Sequence, residues 1–196
     1  MDNPNPIIKR GLISGILSGA SVYFFLAKMD LSNIGIVALG VSLLPGILFG
    51  ILVMFPWSKF YIKNLWLRFV YILTPILASF LSFAILVNIS DASHTFFVMP
   101  FYALAGLTGA VIIVLSIFFL KIKNRLWIVF LILLGGALGG FFFDIVNSFL
   151  NNNMFMPKNK AEANILAYIG SFLMVSSPYI LWQSFVAYSL ASAKHT

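Results

Sequence analysis

Long apolar stretches separated by short polar segments dominate the pattern of this chain. Six stretches stand out, at residues 11–27, 34–57, 65–87, 96–120, 126–150 and 163–190. Each is near or above the ~20 residues that a helix needs to cross the hydrocarbon core of a bilayer. The strict apolar–polar alternation of a membrane-spanning strand is absent. The pattern therefore predicts an all-α integral membrane bundle of six transmembrane helices, formed by residues 1–196 as a single domain.

Composition supports this class and narrows the chemistry. Of the 196 residues, 61% are hydrophobic and 9% are charged, whereas roughly a quarter of the residues in soluble domains are charged. Cysteine is absent, which excludes disulfides, thiol catalysis and cysteine-ligated metals. The net charge of +7 would favour nucleic acid as a partner of a soluble protein. Here the basic residues lie in short loops between apolar stretches, so we expect the lipid bilayer as partner and no nucleic acid.

The distribution of lysine and arginine predicts the orientation in the membrane. With a cytoplasmic N-terminus, nine basic residues fall in inner segments: Lys9, Arg10, Lys59, Lys63, Arg68, Lys121, Lys123, Arg125 and Lys194. Three fall in outer segments: Lys28, Lys158 and Lys160. Because basic residues accumulate in cytoplasmic loops, both termini are predicted to be cytoplasmic. We expect a multi-pass protein of the cell (inner) membrane.

Small residues recur four positions apart in most of the predicted helices. The sets are Gly11, Gly15 and Gly19; Gly46 and Gly50; Ala78 and Ser82; Gly106 and Ala110; Gly135 and Gly139; and Gly136 and Gly140. Lipid tails are as apolar as leucine, so membrane helices associate through close packing, which small residues permit. The stripes are therefore predicted to pack helix against helix within the bundle. The alternative is that one stripe serves a homo-oligomer or a larger membrane complex.

A weak internal repeat is visible at a shift of sixty residues. Nine positions between 43 and 87 meet identical residues, including Gly46 with Gly106 and the Ile62-Lys63-Asn64 triplet with Ile122-Lys123-Asn124. Chance would give roughly four or five such identities between two apolar stretches. A true repeat would place the second and third helices in the same orientation as the fourth and fifth, as in some transporters. Two unrelated hairpins with basic turns would look much the same.

Asp144 is the one acidic residue well inside an apolar stretch. Carboxylates in the membrane are costly, usually face the bundle interior and often mark a functional site. At 100° per residue, Asp144 shares a face with Gly136, Gly140 and Asn147, while Phe141 and Phe142 point elsewhere, toward lipid. Candidate hydroxyl partners at the same depth are Tyr23, Ser42, Ser82, Tyr102 and Tyr168. The alternative is a carboxylate close enough to the interface to reach headgroup water.

Pro45, Pro75 and Pro178 lie near the middle of three predicted helices. Each removes a helical hydrogen bond and tends to kink the helix. Broken helices expose backbone groups to substrate in many transporters, although kinked helices also occur in membrane proteins without a substrate. Gln183, about one turn beyond Pro178, is a further buried polar group that needs a partner. The candidate substrate-binding residues are therefore Asp144, Asn147, Tyr102, Tyr168, Ser82 and Gln183, with the three prolines as helix kinks.

Catalytic chemistry is sparse in this sequence. His94 and His195 are the only histidines, and no paired acidic motif, phosphate-binding glycine loop or serine–histidine pair is present. We expect no enzyme activity, no metal and no cofactor. The expected function is a permease-like or substrate-binding membrane subunit for a small solute. The alternatives are a scaffold or accessory subunit of a larger membrane complex, which a solid core would favour, and a membrane-embedded enzyme with an outer-surface site.

Overall fold

A computed structural model of the chain describes residues 5–28, 34–92, 99–118, 120, 122–151 and 165–193. These residues form helices α1 Asn5–Lys28, α2 Ile34–Phe49, α3 Phe55–Ser58, α4 Leu65–Ala92, α5 Met99–Phe118, α6 Arg125–Asn151 and α7 Ile165–Ala191, with a π-helical turn Gly50–Met54 between α2 and α3. Short turns connect them in the described part of the chain. The predicted all-helical class is confirmed.

Three helical stretches are long and apolar enough to cross a membrane. They are Leu39–Ser58, Leu65–Ile85 and Arg125–Phe142, and Ala103–Phe118 is a shorter apolar helix. This finding concerns the residues whose side chains the structure describes. The six crossings and the orientation of the termini still rest on the sequence.

The helices pack as a ring in chain order. α1 packs against α2, the segment α2–α3 against α4, α4 against α5, α5 against α6 and α6 against α7, and an extensive contact between α7 and α1 closes the ring. Short connections favour such antiparallel neighbours. The two ends of the chain therefore meet in one interface, which no short-range pattern in the sequence reveals.

A cluster of apolar side chains fills one end of the bundle. Its fully buried members include Phe49, Val53, Met54, Trp57, Ile113, Ile117, Ile128, Ile132, Val186 and Leu190. The Trp57 indole N–H donates to the Leu190 carbonyl at 2.9 Å, so the one polar atom of this side chain is paired. Tyr61, in the turn after α3, packs on Trp57 with ring centroids 4.7 Å apart, and burial raises its pKa to about 12. This end of the bundle is filled mainly by buried apolar side chains.

The π-helical turn has a local cause. Pro56 has no N–H, so it cannot donate to the carbonyl of Leu52 as an α-helix would require. The chain widens just before it, and Phe55 donates its N–H to the Gly50 carbonyl five residues back. Such turns occur mostly as single interruptions of α-helices. Here the turn carries buried Val53 and Met54 into the apolar core.

The four glycines of α6 serve two different neighbours. A Cβ at Gly136 would lie 2.6 Å from the Ala110 Cβ and 2.6 Å from the Gly106 carbonyl oxygen, both on α5. A Cβ at Gly135 would lie 2.6 Å from the Phe185 Cβ, on α7. Neighbouring residues of a helix point in directions 100° apart. Gly136 therefore supplies the contact with α5, and Gly135 supplies the contact with α7. The predicted packing of the Gly136 face is confirmed.

Two aromatic residues on α6 point outward. Phe141 is 37% exposed and Phe142 is 38% exposed, and their rings meet edge to face with centroids 6.3 Å apart. The prediction that they point away from the packed face is confirmed.

Similar contacts occur at two glycines that lie sixty residues apart. A Cβ at Gly46 would meet the Pro75 carbonyl oxygen and lie 2.6 Å from the Ile76 Cα, whereas a Cβ at Gly106 would meet the Gly136 carbonyl oxygen. The shift of sixty relates Gly46 to Gly106 and Ile76 to position 136, whereas the two contacted carbonyls, of Pro75 and Gly136, differ by one residue in register. In both hairpins a glycine of the first helix thus lies against the backbone of the second helix.

Replacing Gly135 or Gly136 with leucine is expected to destabilise the bundle, because backbone or Cβ atoms of a neighbouring helix occupy the space of the new side chain. Overpacking typically costs about 1–3 kcal/mol or more. The measurement is thermal unfolding of the purified protein in detergent. Val111→Leu, at an exposed position of α5, is the control and should leave the unfolding temperature nearly unchanged. Equal stability of all three variants and the wild type would contradict this packing.

Candidate functional site

The predicted Asp144 cluster falls largely outside the described side chains. Asp144 and Asn147 belong to α6, Tyr102 to α5 and Tyr168 to α7, and the structure describes none of these four side chains. Their grouping as a substrate site stays a prediction.

The remaining predicted hydroxyls have neighbours of their own. Ser82 on α4 lies at the contact with α5, where a Cβ at Gly109 would lie 2.6 Å from the Ser82 Oγ. Ser42 is buried and donates to the Leu39 carbonyl of its own helix at 3.3 Å. The Tyr23 ring packs edge to face on Phe172, with centroids 5.8 Å apart. Their grouping around Asp144 stays a prediction as well.

Gln183 is the predicted residue for which the structure shows a polar environment. It is fully buried on α7, and its Nε2 donates to the Ser18 Oγ of α1 at 2.9 Å and to the Pro45 carbonyl of α2 at 3.3 Å. A carbonyl only accepts hydrogen bonds, so the amide nitrogen rather than the oxygen must face Pro45. This orientation directs the Gln183 Oε1 away from both partners. One side chain thus joins three helices.

Several buried polar atoms on α1 and α7 lack partners. The Gln183 Oε1, the Ser14 Oγ and the Ser176 Oγ form no hydrogen bond within the described part of the chain. All three residues are fully buried. We call Gln183, Ser18, Ser14, Ser176 and the Pro45 carbonyl the Gln183 cluster.

The two serines differ from most hydroxyl residues in these helices. Eight described hydroxyls donate to a carbonyl three or four residues earlier in their own helix: Ser21, Ser42, Ser58, Thr74, Thr108, Ser116, Ser189 and Ser192. Such local bonds are the usual way for a helical serine to satisfy its hydroxyl inside an apolar bundle. Ser14 and Ser176 make no bond of this kind. Their hydroxyls remain able to donate to another group.

The cluster extends along the contact between α1 and α7. A Cβ at Gly11 would lie 3.1 Å from the Gln183 carbonyl oxygen, and a Cβ at Gly19 would meet the Ser176 side chain. Ser14 precedes Ser18 by about one helical turn on the same side of α1. Ser176 precedes Gln183 by about two turns on α7, which is roughly 10 Å along the axis. The polar groups therefore follow this interface over about two turns.

No member of the cluster carries a charge. An ion placed among these groups would lose its hydration without gaining a counter-charge, which costs far more than burying a neutral polar group. The amide oxygen offers an acceptor, and each serine hydroxyl offers a donor and an acceptor. The arrangement suits an uncharged hydrogen-bonding molecule.

Two of the three predicted kink prolines lie at the cluster. Pro45 supplies one of the acceptors for Gln183, and Pro178 lies on α7 between Ser176 and Gln183. Pro75 lies elsewhere, and the Tyr71 carbonyl that its missing N–H leaves open accepts from the Thr74 hydroxyl at 3.2 Å. That kink is satisfied locally.

Sequence reasoning did not select Ser14, Ser18 or Ser176 as site residues. One signal was available: Ser14 and Ser18 are four residues apart on the helix whose Gly11, Gly15 and Gly19 stripe predicts a close helix contact. Nothing in the sequence identifies the helix across that contact.

The bond between Gln183 and Ser18 predicts a measurable coupling. Gln183→Leu and Ser18→Ala are each expected to lower the free energy of unfolding, and the double variant should lose less than the sum of the two. Coupling energies of interhelical bonds in membranes average about 0.6 kcal/mol. Equilibrium unfolding in mixed detergent measures all terms of this cycle. Ser116→Ala, which removes a hydroxyl bonded within its own helix, should be additive with Gln183→Leu, and additivity of Ser18→Ala as well would contradict the assigned bond.

Comparison with protein-family models, with curated proteins and with solved structures gives no match to this chain.

Proposed function

We propose that this protein is a permease-like or substrate-binding membrane subunit for a small uncharged solute, with the Gln183 cluster as its polar site. The observation that carries the proposal is the presence of three unpartnered polar atoms on fully buried residues of α1 and α7: the Gln183 Oε1, the Ser14 Oγ and the Ser176 Oγ. Each buried polar group without a partner costs roughly 1–3 kcal/mol. A solute with an N–H or O–H group for the Gln183 Oε1, and with an acceptor for a serine hydroxyl, would remove part of that cost.

Access to the cluster requires movement of the helices. A Cβ at Gly15 would lie 2.6 Å from the Ile180 Cα, so the contact between α1 and α7 is closed to a solute in the described arrangement. Helices bend most easily where hydrogen bonds are missing or rearranged. Pro45, Pro178 and the π-helical turn supply such points in α2 and α7. We propose that bending at these points opens the cluster.

We also propose six membrane crossings with both termini in the cytoplasm of the cell. The contacts of the described residues support this topology, because the segments predicted to be cytoplasmic meet at one end of the bundle. Trp57 bonds the Leu190 carbonyl at 2.9 Å, and the Asn124 side chain donates to the Ser192 carbonyl at 2.9 Å. Gly11 of α1 contacts Ala187 near the same end.

A non-catalytic scaffold or accessory subunit is the second candidate. The cluster of buried apolar side chains around Trp57, Ile128 and Leu190 favours it, because a bundle held together by such a cluster needs no solute to be stable. Asp144, Asn147, Tyr102, Tyr168 and Ser82 stay candidate solute contacts under the first proposal.

Reporter fusions test the topology. A cytoplasmic reporter should be active after residue 196, and a reporter that functions only outside the cytoplasm should be active when inserted between α6 and α7, at residues 152–164. The reason is the excess of basic residues in the segments assigned to the inside. An external C-terminus, or a cytoplasmic position of residues 152–164, would contradict the proposed topology.

Solute uptake into proteoliposomes tests the function. With glycerol and urea as uncharged probes, stopped-flow light scattering should show faster equilibration of at least one probe than in empty liposomes. Gln183→Leu is expected to reduce this rate severalfold, because it removes the group that orients the cluster, whereas Ser116→Ala should retain it. Choline chloride should not enter faster than in empty liposomes. If neither uncharged probe enters faster with wild-type protein, the accessory role gains support instead.

A further inference from the structure

The end of the bundle that holds the apolar cluster around Trp57 and Leu190 also exposes basic and aromatic side chains. We call Lys63, Arg68, Lys123 and Arg125, with Trp66 and Trp127, the basic rim. Trp66 is 79% exposed and Trp127 is 55% exposed, and the two lysines are exposed as well. The rim is built from two segments of the chain, residues 63–68 and 123–127, and each contributes one lysine, one arginine and one tryptophan.

The two arginines of the rim are held by backbone carbonyls. Arg68 donates from its Nε to the Ile62 carbonyl at 2.8 Å, and Arg125 donates from its Nη2 to the Leu120 carbonyl at 2.6 Å. A guanidinium has five N–H donors in a rigid fork, so each arginine keeps donors beyond those that these bonds use. The Arg125 Nε is buried and has no acceptor within the described part of the chain. Both guanidinium groups are thus fixed in position with donors still available.

The two halves of the rim lie beside the same helix end. The Tyr71 hydroxyl donates to the Ser116 carbonyl at 2.9 Å, which places the start of α4 next to the end of α5. Arg68 lies about one turn before Tyr71, and the Arg125 guanidinium lies 5.2 Å from the Phe118 ring centroid at the end of α5. The guanidinium groups therefore flank the end of α5 from two sides.

No carboxylate of the described helices lies near the rim. Asp91 and Asp144 are the acidic residues of the described ranges. Asp91 lies at the opposite end of α4, and Asp144 lies nineteen positions after Arg125 in α6. The rim therefore forms a cationic surface whose complement is an anion from outside the described part of the chain.

The apolar neighbours indicate which anion. Leu65 is 53% exposed and Leu126 is 86% exposed. Each of these leucines directly precedes a tryptophan of the rim. Basic, aromatic and aliphatic side chains meet in this way at the boundary between lipid headgroups and acyl chains. A soluble acidic partner would match the charge but not the exposed leucines and tryptophans.

We propose that the basic rim binds the headgroup phosphate of anionic phospholipids, with Trp66 and Trp127 lying at headgroup level beside it. The bound phosphate accepts from the lysines and from the remaining donors of the two guanidinium groups. This site is separate from the Gln183 cluster, and it stands whether or not the protein moves a solute.

Lipid retention by the full-length protein tests the proposal. Protein reconstituted in nanodiscs of phosphatidylcholine is compared with protein in nanodiscs that also contain phosphatidylglycerol, and retained lipid is identified by native mass spectrometry after release into detergent. The wild type should retain phosphatidylglycerol in preference to phosphatidylcholine. Each lysine near an anionic surface contributes about fivefold in affinity, so Lys63→Gln/Lys123→Gln should weaken the preference by about twenty-five-fold. The arginines are left unchanged because they also brace the turns.

The control variant removes two other exposed cations at the same end. Lys9→Gln/Arg10→Gln on α1 subtracts the same charge and should keep the preference of the wild type. Equal loss in both variants would show a general charge effect and would overturn the site. Equal retention of the two lipids by the wild type would also overturn it. The same holds if inorganic phosphate alone stabilises the protein against heat as much as phosphatidylglycerol does. If Lys63→Gln/Lys123→Gln fails to fold, the wild type alone tests the site. Its tryptophan fluorescence must then be quenched more by brominated phosphatidylglycerol than by brominated phosphatidylcholine.

Discussion

The close approach of helix backbones at small residues is the constraint on which this structure depends. In lipid, apolar side chains gain little by leaving the surroundings for a neighbouring helix, so dispersion and close packing must hold the bundle together. The protein places glycine at nearly every contact of the ring: α1 against α7, α2 against α4, and α5 against α6. α6 shows the principle most clearly, because Gly135 and Gly136 are adjacent and serve different neighbours. A helix inserted between two partners needs a flat surface on both sides.

This packing also sets the cost of the polar groups at the Gln183 junction. A contact tight enough to exclude a Cβ at Gly15 brings Ser14 and Ser176 into a fully buried interface. Gln183 recovers part of the cost by donating two bonds, one to Ser18 and one to the Pro45 carbonyl. The remaining unpartnered atoms lower the stability of the contact that buries them. An interface of this kind has a physical reason to open toward a hydrogen-bonding molecule, and that reason connects the closed packing to the proposed function.

Two hairpins with similar turns lie at the basic end of the bundle. In both, a glycine of the first helix lies against the backbone of the second, and the turns share the triplet Ile62-Lys63-Asn64 and Ile122-Lys123-Asn124. Asn64 accepts from the Trp66 N–H at 2.9 Å at the start of α4, and the Asn124 amide bonds the Ser192 carbonyl near the start of α6. The shared turn sequence thus begins a helix in both cases, while the asparagine side chains have different partners. The rim is a consequence of having two such turns at the same end of the bundle.

The sequence by itself determined the helical class, the positions of the apolar stretches and the faces of individual helices. Length and hydropathy suffice for the first two, and the fixed angle of 100° per residue suffices to separate Gly136 from Phe141 and Phe142 on α6. The same reasoning selected Gln183 as a buried polar group, because a polar side chain deep in an apolar stretch needs a partner. Asp144, Asn147, Tyr102 and Tyr168 remain predictions, since their side chains lie outside those that the structure describes.

Only the tertiary structure decided which helix each face meets. Ser18 lies 165 residues from Gln183, and Pro45 lies 138 residues from it, so no local periodicity could pair them. The closure of the ring by α1 and α7 depends on the relative positions of all the intervening helices, and it alone buries Ser14 and Ser176 in one interface. Local sequence sets the direction of a side chain on its own helix, whereas the identity of the atom it meets is a property of the whole arrangement.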